Sequence, residues 1–137
     1  MGFKQVSVFL ENRTGQLAEV TRLLSENNIN LRALNIAETQ DYGVLRLITD
    51  DPLKTASVIT DFGLPVNLTP VTAVSVPDRP GGLSSLLSFL AEENIAVEYM
   101  YSMLGTVDEG AVMIFRTADA DALERLLSES DFDVVNE

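Results

Sequence analysis

Asn12-Arg13-Thr14-Gly15-Gln16-Leu17 returns later in the chain as Asp78-Arg79-Pro80-Gly81-Gly82-Leu83, and Glu26-Asn27-Asn28-Ile29 returns as Glu92-Glu93-Asn94-Ile95. Both pairs are 66 residues apart (17 to 83, 29 to 95). One offset held over two separated blocks marks two copies of a single structural unit, and a repeat of this kind fixes the architecture before any local reading does. The expected boundaries are 1–69 and 70–137, with Pro70 alone between one copy's last strand and the next copy's first. So short a junction predicts tightly coupled units.

Working outward from the repeat, Val6 to Leu10 alternates and is rich in β-formers, which predicts a strand. Leu17, Val20, Leu23 and Leu24 recur at helical spacing, with Glu19, Arg22 and Ser25 on the other side. Asn27-Asn28 ends that helix, since Asn tolerates the left-handed conformation at a helix C-terminus. Leu31–Ala37 reads as a second strand, Asp41-Tyr42-Gly43 as a turn and Val44–Thr49 as a third strand. Asp50-Asp51-Pro52 opens a second helix, with Ala56, Ile59 and Phe62 as its apolar side, and Val66–Thr69 is a fourth strand. The second copy repeats the order with Val71–Val76, Gly82–Glu93, Val97–Met103, Ala111–Thr117, Ala120–Glu129 and Phe132–Val135. Matching Gly43 to Gly110 places one extra residue in the second hairpin, which pairs Arg46 with Met113.

The predicted fold class is therefore α+β. Two ferredoxin-like βαββαβ units each form an antiparallel four-stranded sheet with both helices on one face, packed as a pseudo-twofold pair. Units of about 68 residues are marginal alone, which favours packing of one copy on another. Exposed sheet edges also invite dimerisation, so a homodimer is expected.

Composition narrows the chemistry. The 137 residues contain no cysteine and no histidine. Disulfides, thiolate nucleophiles, the usual zinc sites and the commonest general base are thereby excluded. No carboxylate pair stands at a recognisable catalytic spacing, so neither catalysis, a metal nor a cofactor is expected. The net charge is −12, from 21 acidic and 9 basic residues. Such a surface repels nucleic acid and anionic lipid. No apolar run reaches the ~18 residues of a membrane span. A cytoplasmic protein is the expectation.

The glycine turn carries the candidate chemistry. A glycine before a helix lets backbone approach a small ligand closely. Free N–H groups of the first helical turn favour a carboxylate. Asn12 or Asp78 then offers an acceptor to an ammonium group, so the turn suits a free α-amino acid. The same two residues equally serve as turn formers and helix caps. Arg46, a cation in an otherwise apolar strand, suits either a ligand carboxylate or a local partner.

On the turn Asn12–Leu17, the segment Asn28-Ile29-Asn30-Leu31 and Gly43, with Asp78–Leu83, Asn94-Ile95-Ala96-Val97 and Gly110 in the second copy, the chain resembles the ACT domains, small regulatory modules of amino-acid metabolism. The resemblance covers nearly the whole chain and is nearest to stand-alone tandem ACT proteins. It implies a non-catalytic module that binds a free amino acid between the turn of one unit and the second strand of its neighbour. The implied site comprises Asn12, Arg13, Thr14, Gly15, Gln16, Leu17, Leu34, Asn35, Ile36 and Arg46. Asp78, Pro80, Gly81, Gly82, Leu83, Tyr99, Met100, Tyr101 and Ser102 complete it. Occupancy is then relayed to a metabolic enzyme partner or through oligomer packing. The alternative is an interaction module that needs no ligand. Gly15→Val is expected to remove binding while leaving the fold.

Overall fold

The computed structural model describes residues 2–11, 13–38, 42–104 and 110–136. The chain divides into two compact units, one of Lys4–Thr69 and one of Met1–Phe3 with Pro70–Glu137.

In the first unit the order is β1 (Phe3–Glu11), α1 (Gln16–Glu26), β2 (Leu31–Glu38), β3 (Tyr42–Thr49), α2 (Pro52–Phe62) and the opening residues of β4 (Val66–Pro77). The strands lie in the order β2-β3-β1-β4. The antiparallel register sets Val6 opposite Leu47 and Val8 opposite Leu45. These four share one sheet face and join Val20, Leu24 and Ile59 from the helices in one buried cluster. The alternation of each strand and the helical stripe thus meet on the same side of the sheet, and each such side chain buried contributes about 1.5–3 kcal/mol.

The second unit takes the rest of β4, then α3 (Gly82–Glu92), β5 (Tyr99–Ser102), β6 (Gly110–Arg116), α4 (Ala120–Ser128) and β7 (Asp133–Val135), with strand order β5-β6-β4-β7. Its core gathers Val74, Val76, Leu86, Leu90, Phe115, Leu123 and Leu127. Each unit is thus the predicted antiparallel sheet with two helices on one face.

The repeat extends to single hydrogen bonds. Asn28 and Asn94 both adopt positive φ, 57° and 60°. The following Ile29 and Ile95 amides reach back to the carbonyls of Leu24 and Leu90, at 2.9 and 2.8 Å, satisfying carbonyls at the helix end. Asp51 and Asp119 cap α2 and α4, accepting from the amides of Lys54 at 3.1 Å and Ala122 at 3.0 Å. Replacing either aspartate by alanine is expected to cost about 1 kcal/mol in urea denaturation.

Four expectations change. Val66–Pro77 is one unbroken strand, with Pro70 inside it and not a separator; proline is tolerated where a strand's N–H is not needed by the ladder. Tyr42 and Gly43 belong to β3 and not to a turn, while Asp41 lies outside the described residues. On α2 the inward stripe is Thr55, Val58 and Ile59, and Phe62 is 45 % exposed. Thr55 is tolerated inside because its Oγ1 lies 2.8 Å from that of Thr49 and also donates to the Asp51 carbonyl.

The hairpin arithmetic changes as well. Ser7 faces Arg46 in the first unit, and Ala73 faces Ile114 in the second. Leu10 faces Gly43 where Val76 faces Ala111. The caps Asp51 and Asp119 agree, standing 68 apart. The second hairpin therefore holds two extra residues, Arg46 corresponds to Ile114 and not Met113, and Gly43 corresponds to Ala111 and not Gly110. A match between two glycines misled the count, and a slip of one residue moves a side chain to the opposite sheet face.

Candidate ligand site

Each unit carries the same turn between its first strand and first helix. The Arg13 amide donates to the Glu11 carbonyl and the Arg79 amide to that of Pro77, both at 2.9 Å. Gly15 and Gly81 follow at φ 89° and 88° and stand as N-caps of α1 and α3. Glycine offers no side chain to cap either helix, and among the described residues no other side chain does so, in contrast to α2 and α4. A first helical turn has amides without intrahelical acceptors. At α1 and α3 the opening amides of Gln16 and Gly82 turn back to the carbonyls of Arg13 and Arg79, at 3.4 and 3.1 Å, which leaves the amides that follow them in the first turn for a ligand anion, and the helix dipole favours it. A Cβ at Gly15 or Gly81 meets nothing within 4 Å, so the glycines answer to torsion and leave open space beside the helix ends. Asp78 is exposed and does not cap α3. Asn12 lies outside the described residues.

Both turns border cavities. In the first unit about 170 Å³ is lined by Leu10, Glu11, Arg13, Gln16, Leu17, Ile36 and Gly43. In the second about 360 Å³ is lined by Ser75, Pro77, Arg79, Pro80, Gly81, Gly82, Ser85 and the β7 approach Asp131-Phe132-Asp133. Drug-sized sites run to roughly 300–1,000 Å³, so the first suits only a small ligand.

The electrostatics differ between the copies. Arg13 holds the Glu19 carboxylate through two nitrogens, at 3.2 and 3.3 Å, with Glu11 at 3.9 Å. The hydrogen bond to Glu19, and then its charge, raise the Arg13 pKa above the ordinary arginine value, so it is cationic at every working pH. Position 19 corresponds to Ser85 in the second unit. There Arg79 lines the cavity with no carboxylate engaged among the described residues. Its guanidinium and the α3 amides together suit a carboxylate, while Asp131 and Asp133 suit an ammonium.

The remaining predicted residues fall into separate groups. Arg13, Gln16, Leu17 and Ile36 share the first cavity, and Leu34 lies two residues from Ile36 on the same sheet face, 38 % exposed. Asn35 and Arg46 stand on the opposite face, where Arg46 Nη1 donates to Asn35 Oδ1 at 2.9 Å. Thr14 is exposed beside the turn. In the second unit Pro80, Gly81 and Gly82 line the cavity, whereas Leu83 and Met100 pack on the core. Tyr99 and Tyr101 stack at 6.5 Å on the face away from that core, and Ser102 is exposed. Arg46→Met is accordingly expected to leave amino-acid affinity within about threefold, because Arg46 lies off the glycine-turn face; calorimetry checks this.

Sequence reasoning missed Arg79, Ser85 and Asp131–Asp133. The repeat offset from Arg13 pointed to Arg79. No local pattern pointed to the aspartates, which reach the turn only through the pairing of β7 with β4.

With this geometry, the match of residues 1–137 to the family model described as ACT domain pair shows that the chain belongs to that family. Among solved structures it is similar to protein BT0572 from Bacteroides thetaiotaomicron, at 41 % identity and a TM-score of 0.91, over 98 % of this chain and 92 % of that one. The regulatory subunit of aspartate kinase from Thermus thermophilus, in its ligand-free form, superposes at a TM-score of 0.69 with 15 % identity, over 94 % and 93 % of the two chains. Aspartokinase alpha and beta subunits reach 0.60 at 13 % identity, over 93 % and 91 %. The last two share the fold. No curated protein sequence matches this chain.

Proposed function

We propose that the chain is a non-catalytic regulatory module that binds a free α-amino acid at its glycine turns and relays occupancy to a partner enzyme or through oligomer packing. The observation that carries this reading is the contrast among the helix starts. Two are closed by aspartate side chains, and the two at the glycine turns have no side-chain cap among the described residues and stand beside cavities. Membership of the ACT domain pair family supports it. Binding that favours one packing over another shifts the population toward it by the difference in affinity. Titration calorimetry of the amino acid that binds, beside its C-terminal amide, tests the assignment of its carboxylate to the helix ends. The amide is expected to bind at least about tenfold more weakly, since it loses the charge-assisted bonds. Equal binding contradicts the reading.

A further inference from the structure

Gln16 opens α1 and lines the first unit's cavity. It is 4 % exposed, yet its Oε1 has no hydrogen-bond partner among the described residues. A buried amide oxygen without a donor is a standing cost that native proteins rarely leave unanswered. The position is not interchangeable with its repeat. The corresponding residue, Gly82, has no side chain, so the second unit lacks this acceptor.

We propose that Gln16 makes the first unit's site selective for a small α-amino acid whose side chain carries a neutral hydrogen-bond donor, a hydroxyl or an amide. This deepens, and rests on, the amino-acid reading above. The α1 amides that follow Gln16 take the carboxylate. The ammonium stays at the wet mouth, where Glu11 is exposed, because a charge in the dry interior is costly. Oε1 is closed to solvent in this structure, so the Gln16 amide turns toward the cavity it lines to accept from the donor on the ligand's side chain. A cavity of about 170 Å³ limits that side chain to a few atoms. An apolar isostere leaves Oε1 unpaired in the complex and binds about tenfold or more weakly.

The test uses the ¹⁵N-labelled full chain, titrated with L-threonine and L-valine, which exchange a hydroxyl for a methyl, and with L-serine and L-alanine. Binding is read at the Gly15 and Leu17 amides and at the Gln16 side-chain amide. In wild type the hydroxyl member of a pair is expected to bind tenfold or more tightly. In Gln16→Leu that ratio falls to within about threefold, and the free protein melts at a higher temperature than wild type because a buried unpaired acceptor is gone. Gln16→Met provides the same comparison should leucine not fold. Equal binding within both pairs in wild type, or a ratio that survives Gln16→Leu and Gln16→Met, overturns the proposal. So does a first-unit response confined to amino acids without a side-chain donor, and in that case the amino-acid reading stands. Amides at both glycine turns that stay unmoved by all twenty amino acids overturn the reading and the proposal together.

Discussion

Gly82→Ala is expected to destabilise the chain by about 3 kcal/mol or more in urea denaturation, well beyond what one methyl group suggests. A Cβ at Gly82 would overlap the carbonyl oxygen of Pro77. That oxygen is backbone and cannot rotate aside, so the helix start and the end of β4 must separate. Overpacking of a rigid contact costs ~1–3 kcal/mol and sometimes more. The Pro77 carbonyl also accepts from the Arg79 amide, and separating the end of β4 from the start of α3 strains that bond too. Gly81→Ala, one residue away, is the control. It adds the same methyl in open space and costs only the torsional penalty of φ 88°, about 1–2 kcal/mol. Equal losses for the two variants would show that the close approach of α3 to Pro77 is not what fixes the glycine.

Gly81→Val is expected to remove binding at the second unit's turn, weakening it at least about a hundredfold. Gly81 lines the cavity, and a branched side chain there covers the uncapped α3 amides. It also costs stability, because a β-branched residue at positive φ is strained by about 2–3 kcal/mol. Gly15→Val at φ 89° carries the same strain, so the sequence-based expectation of an untouched fold does not hold for valine. Asparagine separates the two effects. Gly81→Asn is tolerated better in the left-handed region but still fills the space, so the chain stays folded and binding is lost. Affinity that survives Gly81→Asn, measured by calorimetry on a protein whose melting curve is intact, contradicts this site.

Much of the fold was legible in the residues. Leu17, Val20 and Leu24 gave α1 its stripe, and Asn28 and Asn94 both took the left-handed conformation that their side chains tolerate. What was lost was register. Gly43 and Gly110 looked like partners, but strand pairing is set by ladder geometry and not by residue identity, and the two-residue hairpin difference shifted Arg46 onto Ile114. The site was half legible. The glycine turns repeat in sequence, so Gly15, Gln16, Gly81 and Gly82 could be named. Asp131 and Asp133 could not, since tertiary pairing brings them to the turn, and the burial of Gln16 Oε1 follows from packing that no single-residue pattern encodes.

The purified full chain, melted in the presence of each of the twenty L-amino acids and its D-enantiomer where one exists, tests the central claim most directly. A ligand that binds only the folded state adds RT ln(1 + [L]/Kd), about 2.7 kcal/mol at a hundredfold excess over Kd. A stabilising hit is expected, specific for the L form wherever the amino acid is chiral, and abolished when both Gly15 and Gly81 are replaced by asparagine. A folded protein whose melting temperature none of them moves would contradict amino-acid binding and leave a module that acts through protein contacts alone.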